Sequence, residues 1–290
     1  MKLLVIVGQT ASGKSDLGVY LAKKFNGEVI SADSRQVYKG LDLASGKITK
    51  KEMEGIPHHL INIISPKSTY TVAQYQKTAI ETIKKIQIPF LVGGSPFYVY
   101  SVVDNLNFPE IKANPTLRKQ LEKLNTETLL KRLKKLDPER VKSIETKNKR
   151  RLIRALEIIY ATGRPVPKQP ASTPLFQTLL IGIKTDTKDL QKRITKRLDI
   201  RLEKGMVAEI EKLHALGVSY KRLEELGLEA KYIALYLQGK LLKEEMEEQL
   251  LTAIVKFSKR QLTWFGKDKR IHWITQRKEA ENLVRKFLRQ

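Results

Sequence analysis

The chain has 290 residues, 41% hydrophobic and 30% charged, without cysteine. Its length allows one large or two modest domains with a real core, and the lack of cysteine excludes disulfides, thiolate metal sites and cysteine nucleophiles. A net charge of +24, from 55 lysines and arginines against 31 acidic residues, favours a polyanionic partner such as nucleic acid. A generally lysine-rich surface is the alternative interpretation of that charge.

Membrane association is not expected. No apolar run approaches the roughly 18 residues that cross a bilayer, and the apolar start at residues 1–7 is short and lacks a small-residue cleavage site. We therefore expect a cytoplasmic protein that has no membrane partner, and we expect it to be a monomer.

Short apolar runs predict buried parallel strands at residues 3–7, 29–32, 60–63, 90–92 and 179–183. Helical stretches separate these runs, which is typical of an α/β fold with a doubly wound parallel sheet. Ligands of such sheets bind at the carboxyl ends of the strands. The informative loops should therefore follow residues 7, 32 and 92.

The domain organisation follows from the same pattern. We predict that residues 1–108 form the first part of the α/β core and that residues 109–146, which have helical spacing and no strand signal, form a helical insertion. Residues 147–290 complete the core through the strand at 179–183. After residue 186 we expect an almost wholly helical chain, with the last helix at about 243–265.

The strongest chemical signal is the complete phosphate-binding motif G-x-x-x-x-G-K-S, which follows an apolar strand and precedes a helical stretch. Its glycines let backbone N–H groups wrap a phosphate, its lysine supplies a positive charge, and the final serine hydroxyl can ligate Mg²⁺. The motif predicts a P-loop fold and a site for a phosphorylated ligand, with Mg²⁺ as cofactor. Its residues are Gly8, Gln9, Thr10, Ala11, Ser12, Gly13, Lys14 and Ser15.

Asp33 ends the second predicted strand and should project toward the phosphate site. A carboxylate there could bind Mg²⁺ or act as a general base. The alternative is that Asp33 only caps a following helix.

Hydrogen-bonding and basic side chains form further candidate sites. Arg35, Gln36 and Tyr38 could read a base, as in readers of single-stranded RNA, or belong to an ordinary polar loop. Arg197 lies in a stripe of arginines at four-residue spacing (193, 197 and 201), which suits a diphosphate or an RNA backbone. A solvated basic face is the alternative for the stripe. Another basic cluster surrounds Arg150.

With these pieces in place, the chain resembles the tRNA dimethylallyltransferases, also called tRNA isopentenyltransferases, over nearly its whole length. The resemblance rests on six blocks in the family's order: GQTASGKS at 8–15, SADSRQVY at 31–38, PHHL at 57–60, LVGGS at 91–95, RLIRALE at 151–157 and KRQLTWF at 259–265. The chain departs from the family pattern at residues 44–46, at Ser95, which replaces a usual threonine, and at Leu228, which replaces a usual tyrosine.

The resemblance implies transfer of a dimethylallyl group from dimethylallyl diphosphate to N6 of the adenosine immediately 3′ of the anticodon. The implied partners are that donor and the anticodon stem-loop of tRNA. It implies that Asp33 is the general base and that Arg197, with the phosphate-binding loop, binds the diphosphate. The implied tRNA-contacting residues are Asp33, Ser34, Arg35, Gln36, Ser95, Arg118, Arg150, Arg151, Leu152, Ile153 and Arg154.

Three rival functions remain compatible with the motifs. A small-molecule kinase would bind ATP at the same loop and would not depend on tRNA. A non-catalytic RNA-binding switch would only sense a nucleotide there. A prenyltransferase acting on free adenine nucleotides would keep the chemistry without needing the basic helical insertion.

Overall fold

The structure, a computed structural model, describes residues 1–109, 111, 114–167 and 173–290. The chain divides into two units. The first consists of Met1–Asn105 and Thr173–Gln290, and the second of Leu106–Ser172. The first unit contains the predicted α/β core, and the second unit is helical.

The first unit is built on a six-stranded sheet whose neighbouring strands all run parallel. Its strands are β1 (Lys2–Val7), β2 (Glu28–Ser31), β3 (His58–His59), β4 (Pro89–Gly93), β5 (Gln177–Ile183) and β6 (Ile271–Ile274). The spatial order is β3-β2-β4-β1-β5-β6. Because β4 lies between β1 and β2, the loops that follow these three strands emerge side by side at the carboxyl edge.

Helices flank the sheet and make up the second unit. In the described ranges they are, in chain order, α1 (Lys14–Phe25), α2 (Val72–Ile83), α3 (Pro96–Val103), α4 (Pro115–Glu122), α5 (Thr126–Leu136), α6 (Pro138–Ser143), α7 (Lys149–Thr162), α8 (Thr187–Glu203), α9 (Met206–Ala215), α10 (Tyr220–Glu225), α11 (Leu228–Leu237), α12 (Lys243–Phe265) and α13 (Arg277–Arg289). None of these helices combines the length and the apolar composition that crossing a membrane requires.

Strand β1 shows why the sheet is buried on both faces. Leu3 and Val5 are fully buried in one apolar layer, while Leu4 and Ile6 are buried in the other. Successive strand residues point to opposite faces, so a continuous apolar run fills both layers at once. This packing confirms the doubly wound architecture expected from the apolar runs.

The predicted strand at 60–63 is wrong. Leu60 and Asn62 have positive φ angles of 60° and 57°, and this left-handed conformation is incompatible with extended strand geometry. The paired residues are instead His58 and His59, immediately before them. The apolar character of this segment reflects burial of Leu60 in a loop rather than strand pairing.

The chain after residue 186 is almost wholly helical, as expected, but the prediction that its last helix lies at about 243–265 is wrong. Strand β6 pairs with β5 at the edge of the sheet, and α13 follows it after the helix that was expected to be the last. Only Ile271 and Ile274 of β6 are buried. A four-residue strand with two apolar anchors gives too short a pattern to stand out between helices.

The helical unit extends beyond the predicted insertion at 109–146. Helix α7, assigned from the sequence to the remainder of the core, buries Leu152 and Leu156 against Leu121, Leu129 and Leu133 of the preceding helices. The second unit therefore has its own apolar core, and that core needs α7. The boundary lies after α7 rather than before it.

Candidate active site

The phosphate-binding motif forms the loop between β1 and α1. Gly13 has a φ of 88° and precedes α1 as its N-terminal cap, while Ala11 has a φ of 60°. The hydroxyl of Ser12 is buried and makes no hydrogen bond to any residue that the structure describes. An orphaned buried hydroxyl at a helix N-terminus suits a phosphate oxygen as its partner. Residues 8–15 are called the anion cradle below.

Lys14 provides the positive charge of the cradle. Its ammonium donates to the carbonyl oxygen of Gln9 at 3.2 Å, so the side chain folds back over the loop. Loss of solvent lowers the pKa of Lys14 to about 8, with the Asp33 carboxylate acting to raise it and Arg197 to lower it. An amine in this position gains its charge fully when an anion binds beside it.

Asp33 follows β2 and is half-buried. Its Oδ1 accepts a hydrogen bond from the backbone N–H of Arg35 at 2.9 Å. The interpretation of Asp33 as a helix cap is wrong, because the residues that follow form a turn. This turn fixes the carboxylate through one oxygen.

The carboxylate and the cradle belong to one site. Asp33 acts to raise the pKa of both Lys14 and Arg197, which requires the three charged groups to lie near one another. The ends of β2 and β4 approach each other closely, which explains this placement. A Cβ on Gly93 would lie only 2.1 Å from the carbonyl oxygen of Ala32. Glycine at the end of β4 thus lets the backbone that carries Asp33 come close.

Two of the three arginines in the α8 stripe contact the loop that contains residues 43–46. Arg197 donates to the carbonyl oxygen of Gly46 at 2.9 Å, and Arg201 donates to that of Leu43 at 3.1 Å. Arg201 also pairs with Glu229 at 3.0 Å. Partial loss of solvent around the guanidinium and the charge of Arg201 lower the pKa of Arg197, but a guanidinium stays charged at physiological pH.

The predicted base-reading residues after β2 are largely engaged within the protein. Arg35 donates to the carbonyl oxygen of Glu225 at 3.0 Å, and the side-chain oxygen of Gln36 accepts from Ser31 at 3.1 Å. Tyr38 is only 4% exposed, so the interpretation that its side chain reads a base is wrong. Tyr38 is a core residue.

Ser95 lies at the N-terminus of α3 and contacts the Asp33 turn. Its Oγ accepts from the backbone N–H of Ser34 at 3.0 Å, and its own N–H donates to the carbonyl oxygen of Ala32 at 3.2 Å. Ser34 and Ser95 are both half-buried. The two serines therefore fix the backbone on either side of Asp33.

In the second unit, Arg118 and Arg154 share one buried carboxylate. Arg118 binds Glu157 through Nε and Nη2 at 2.9 and 2.8 Å, and Arg154 binds it at 2.6 Å. Burial alone would raise the pKa of Glu157, but the hydrogen bonds from the two arginines outweigh it and lower the pKa. Both guanidinium groups keep part of their surface exposed.

The remaining predicted tRNA contacts on α7 separate into two groups. Arg150 and Arg151 are exposed. Leu152 and Ile153 are 0% and 6% exposed and pack in the core of the second unit. The prediction that these two apolar side chains contact tRNA is therefore wrong, because helical spacing turns them inward.

Two buried residues that bind the anion cradle were not identified from the sequence. Gln261 of α12 accepts from the backbone N–H of Thr10 at 2.8 Å, and Ser258 accepts from the side chain of Gln9 at 2.9 Å. Both are nearly inaccessible. They share the buried face of α12 with Ile254 and Phe265, so polar residues on an apolar stripe were the available signal.

Known proteins resemble this chain over nearly its whole length. Residues 36–268 match the family model described as IPP transferase. The tRNA dimethylallyltransferase of Carboxydothermus hydrogenoformans is 40% identical, over 99% of this chain and 96% of its own. The tRNA dimethylallyltransferase of Streptomyces coelicolor is 38% identical, over 94% of this chain and 90% of its own.

Solved structures are similar over the same extent. The tRNA isopentenylpyrophosphate transferase of Bacillus halodurans has a TM-score of 0.75 and 35% identity, covering 99% of this chain and 97% of its own. A eukaryotic dimethylallyltransferase described as acting on tRNA has a TM-score of 0.80 and 29% identity, covering 94% of this chain and 73% of its own. These similarities extend over both units of the chain.

Proposed function

The chain belongs to the IPP transferase family, and from this premise we propose how its site works. It is a prenyltransferase that attaches a dimethylallyl group to tRNA. We propose that dimethylallyl diphosphate is the donor and that the acceptor is the N6 amine of the adenosine immediately 3′ of the anticodon.

One observation carries the proposal: a carboxylate and an anion cradle share one site. Asp33 follows β2, the cradle follows β1, and Asp33 acts electrostatically on Lys14. A general base and a diphosphate-binding site are the two parts that N-prenylation needs. The target adenine has to leave its stack to reach Asp33.

Asp33 serves as the general base in this mechanism. The lone pair of N6 is delocalised into the adenine ring, so its attack on the allylic carbon benefits from simultaneous loss of a proton. As the new C–N bond forms, the C–O bond to diphosphate breaks and the N6 proton passes to the Asp33 carboxylate. The leaving diphosphate carries away the bonding electrons.

The cradle stabilises the leaving diphosphate. Lys14 and Arg197 offer positive charge, and the Ser12 hydroxyl and the loop N–H groups offer hydrogen bonds. Charge on the departing oxygens grows as the bond breaks, so these groups act most strongly in the transition state. Thr10 and Ser12 are exceptions among the loop amides, because the N–H of Thr10 is already bonded to Gln261 and that of Ser12 to the carbonyl oxygen of Gln9.

The donor set at the cradle fits Mg²⁺ bound together with a diphosphate. The described residues contain no cluster of three acidic or histidine side chains that could enclose a metal. Mg²⁺ commonly takes one or two protein ligands and completes its shell with phosphate oxygens and water. Ser15, half-buried in the first turn of α1, would hold it, and the bound ion would neutralise diphosphate charge.

Binding of tRNA is supported by the excess of positive charge. We propose that Arg150 and Arg151 contact the RNA backbone from the second unit and that Ser34, Arg35 and Gln36 do so near the target base. The net charge of +24 supplies the long-range attraction. Asp33 and the cradle lie in one copy of the chain, so this mechanism needs no second subunit.

The direct test is to incubate the purified protein with dimethylallyl diphosphate, Mg²⁺ and unmodified tRNA, and then to analyse the nucleosides by mass spectrometry. We expect an adenosine heavier by one dimethylallyl group, at the position 3′ of the anticodon. A parallel mixture with labelled ATP tests the kinase alternative. Label transfer to an acceptor without prenylated tRNA would contradict the proposal.

The lowered pKa of Lys14 predicts a pH dependence. The ammonium is charged below its pKa of about 8 and loses its charge above it, so donor capture should weaken as pH rises. We expect kcat/KM for the donor to fall about tenfold between about pH 7 and pH 9. The Lys14→Arg variant keeps its charge over this range. Its activity should be lower but independent of pH there; an unchanged wild-type value at both pH values would refute the assignment.

A further inference from the structure

Gln261 makes two hydrogen bonds from a nearly inaccessible position on α12, where it is 3% exposed. Its Oε1 accepts from the backbone N–H of Thr10 in the cradle at 2.8 Å. Its Nε2 donates to the carbonyl oxygen of Gly94, just beyond β4, at 2.6 Å. The two ends of one amide therefore join the loops that follow β1 and β4.

The Gly94 end leads directly to the base. Gly94 is followed by Ser95, whose N–H donates to Ala32 at 3.2 Å and whose Oγ accepts from the N–H of Ser34 at 3.0 Å. Asp33 stands between Ala32 and Ser34. A continuous path of hydrogen bonds thus connects the cradle, through Gln261 and Ser95, to the backbone on both sides of Asp33.

We infer that Gln261 is a positioning residue that fixes the separation between the anion cradle and the Asp33 carboxylate. The inference rests on the proposed function of these two groups. Among side chains of this length, only the glutamine amide presents a fixed acceptor and a fixed donor in one plane. Burying an amide is costly unless both ends are bonded, and here both are.

This separation matters because prenyl transfer joins two bound groups. The donor carbon is placed by its diphosphate in the cradle, and the N6 proton is removed at Asp33. A misplacement of about 1 Å between reacting groups can cost about 10²-fold in rate. Gln261 touches neither substrate in this scheme and acts only through the two loops.

Gln261→Met keeps the side-chain length and removes both hydrogen bonds. We expect kcat to fall about 10- to 100-fold, with the KM values for donor and tRNA changing less than about threefold. Gln261→Asn keeps a polar amide but is one methylene shorter and cannot reach both partners. Gln261→Asn serves as the second variant if Gln261→Met folds poorly, and we expect its kcat to be lower than that of wild type as well.

A double-mutant cycle with Asp33→Asn distinguishes positioning from general damage. If Gln261 acts by aligning Asp33 with the cradle, adding Gln261→Met to Asp33→Asn should lower kcat less than about threefold further. Equal losses in both backgrounds would overturn the inference. A rise in donor KM alone, or a lower Tm with kcat unchanged, would also overturn it.

Thr263→Ala is the matched control on α12. Thr263 is exposed two residues beyond Gln261, and its hydroxyl donates to the backbone carbonyl of Lys259 at 3.0 Å. The substitution removes a side-chain hydrogen bond of the same helix that reaches neither loop, so we expect kcat within about twofold of wild type. A loss equal to that of Gln261→Met would assign the effect to α12 as a whole and would overturn the inference.

Amide hydrogen exchange tests, without any catalysis, whether Gln261 links the loops that follow β1 and β4. In Gln261→Met the amide of Thr10 should exchange at least about tenfold faster, and that of Ser34 should also accelerate, while the amides of β1 stay protected. Unchanged exchange at Thr10 and Ser34 would overturn the inference. If the wild-type protein failed to prenylate tRNA, the proposed function would fail, and the exchange result would still decide whether Gln261 holds the loops.

Discussion

Replacing Asp33 by asparagine should lower kcat for prenyl transfer by about 10² to 10⁴-fold, the usual contribution of a positioned general base. The amide cannot accept the N6 proton, whereas its oxygen can still accept from the N–H of Arg35, as Oδ1 of Asp33 does at 2.9 Å. The turn should therefore keep its shape. Steady-state rates at saturating donor and tRNA, with product measured by nucleoside mass spectrometry, give the change in kcat.

Asp16→Asn is the matched control for this substitution. Asp16 is an exposed acid in the first turn of α1, and it acts on the charge of Lys14 as Asp33 does. Its removal makes the same change in net charge near the cradle without touching the base. We expect its kcat within about threefold of wild type, since exposed charges are screened. Near-normal activity of Asp33→Asn would refute the assignment of the base.

The phosphate-binding loop and the carboxylate of Asp33 could be placed from sequence because their signals are local. A six-residue apolar strand followed by G-x-x-x-x-G-K-S leaves little freedom for the chain. The position of Asp33 then follows from one rule, that parallel strands deliver their carboxyl ends to a common edge. Applied to the apolar runs, that rule alone places Asp33 beside Lys14.

The sequence predictions failed for features that depend on packing between distant parts of the chain. Strand β6 exists because β5 offers an edge, and its four residues carry almost no pattern of their own. Leu152 and Ile153 lie within a basic segment, and only the helical core of the second unit shows that they point inward. Gln261 is separated from Thr10 by 251 residues, so no local pattern could pair them.

The distinction between local pattern and long-range packing also applies to the charged residues. Arg118 and Arg154 attract attention in a basic sequence, yet both bind Glu157, whose side chain is only 1% exposed. Removing either arginine leaves this buried carboxylate with only one of its two charged partners. Loss of activity in Arg118 or Arg154 variants would therefore need a folding measurement before it is attributed to tRNA binding, whereas exposed Arg150 and Arg151 are cleaner probes.

Replacing Lys14 by alanine should lower kcat/KM for the donor by about 10² to 10³-fold, comparable to removing one donor from an oxyanion site. In the proposed mechanism the Lys14 ammonium contacts the diphosphate both when the donor binds and when it leaves, so we expect kcat to fall and donor KM to rise together. tRNA affinity, measured by filter binding, should stay close to wild type. An unchanged rate at saturating donor would contradict the role of Lys14.

Lys23→Ala separates this effect from the loss of a positive charge on α1. Lys23 lies on the same helix and forms an exposed ion pair with Glu54 at 2.7 Å, an arrangement worth little to stability. Its activity should match wild type within about twofold. The physical difference between the two lysines is solvation: burial holds Lys14 at a pKa of about 8. In the proposed mechanism an incoming diphosphate raises the pKa of Lys14 again and pairs with an ammonium that water screens only weakly.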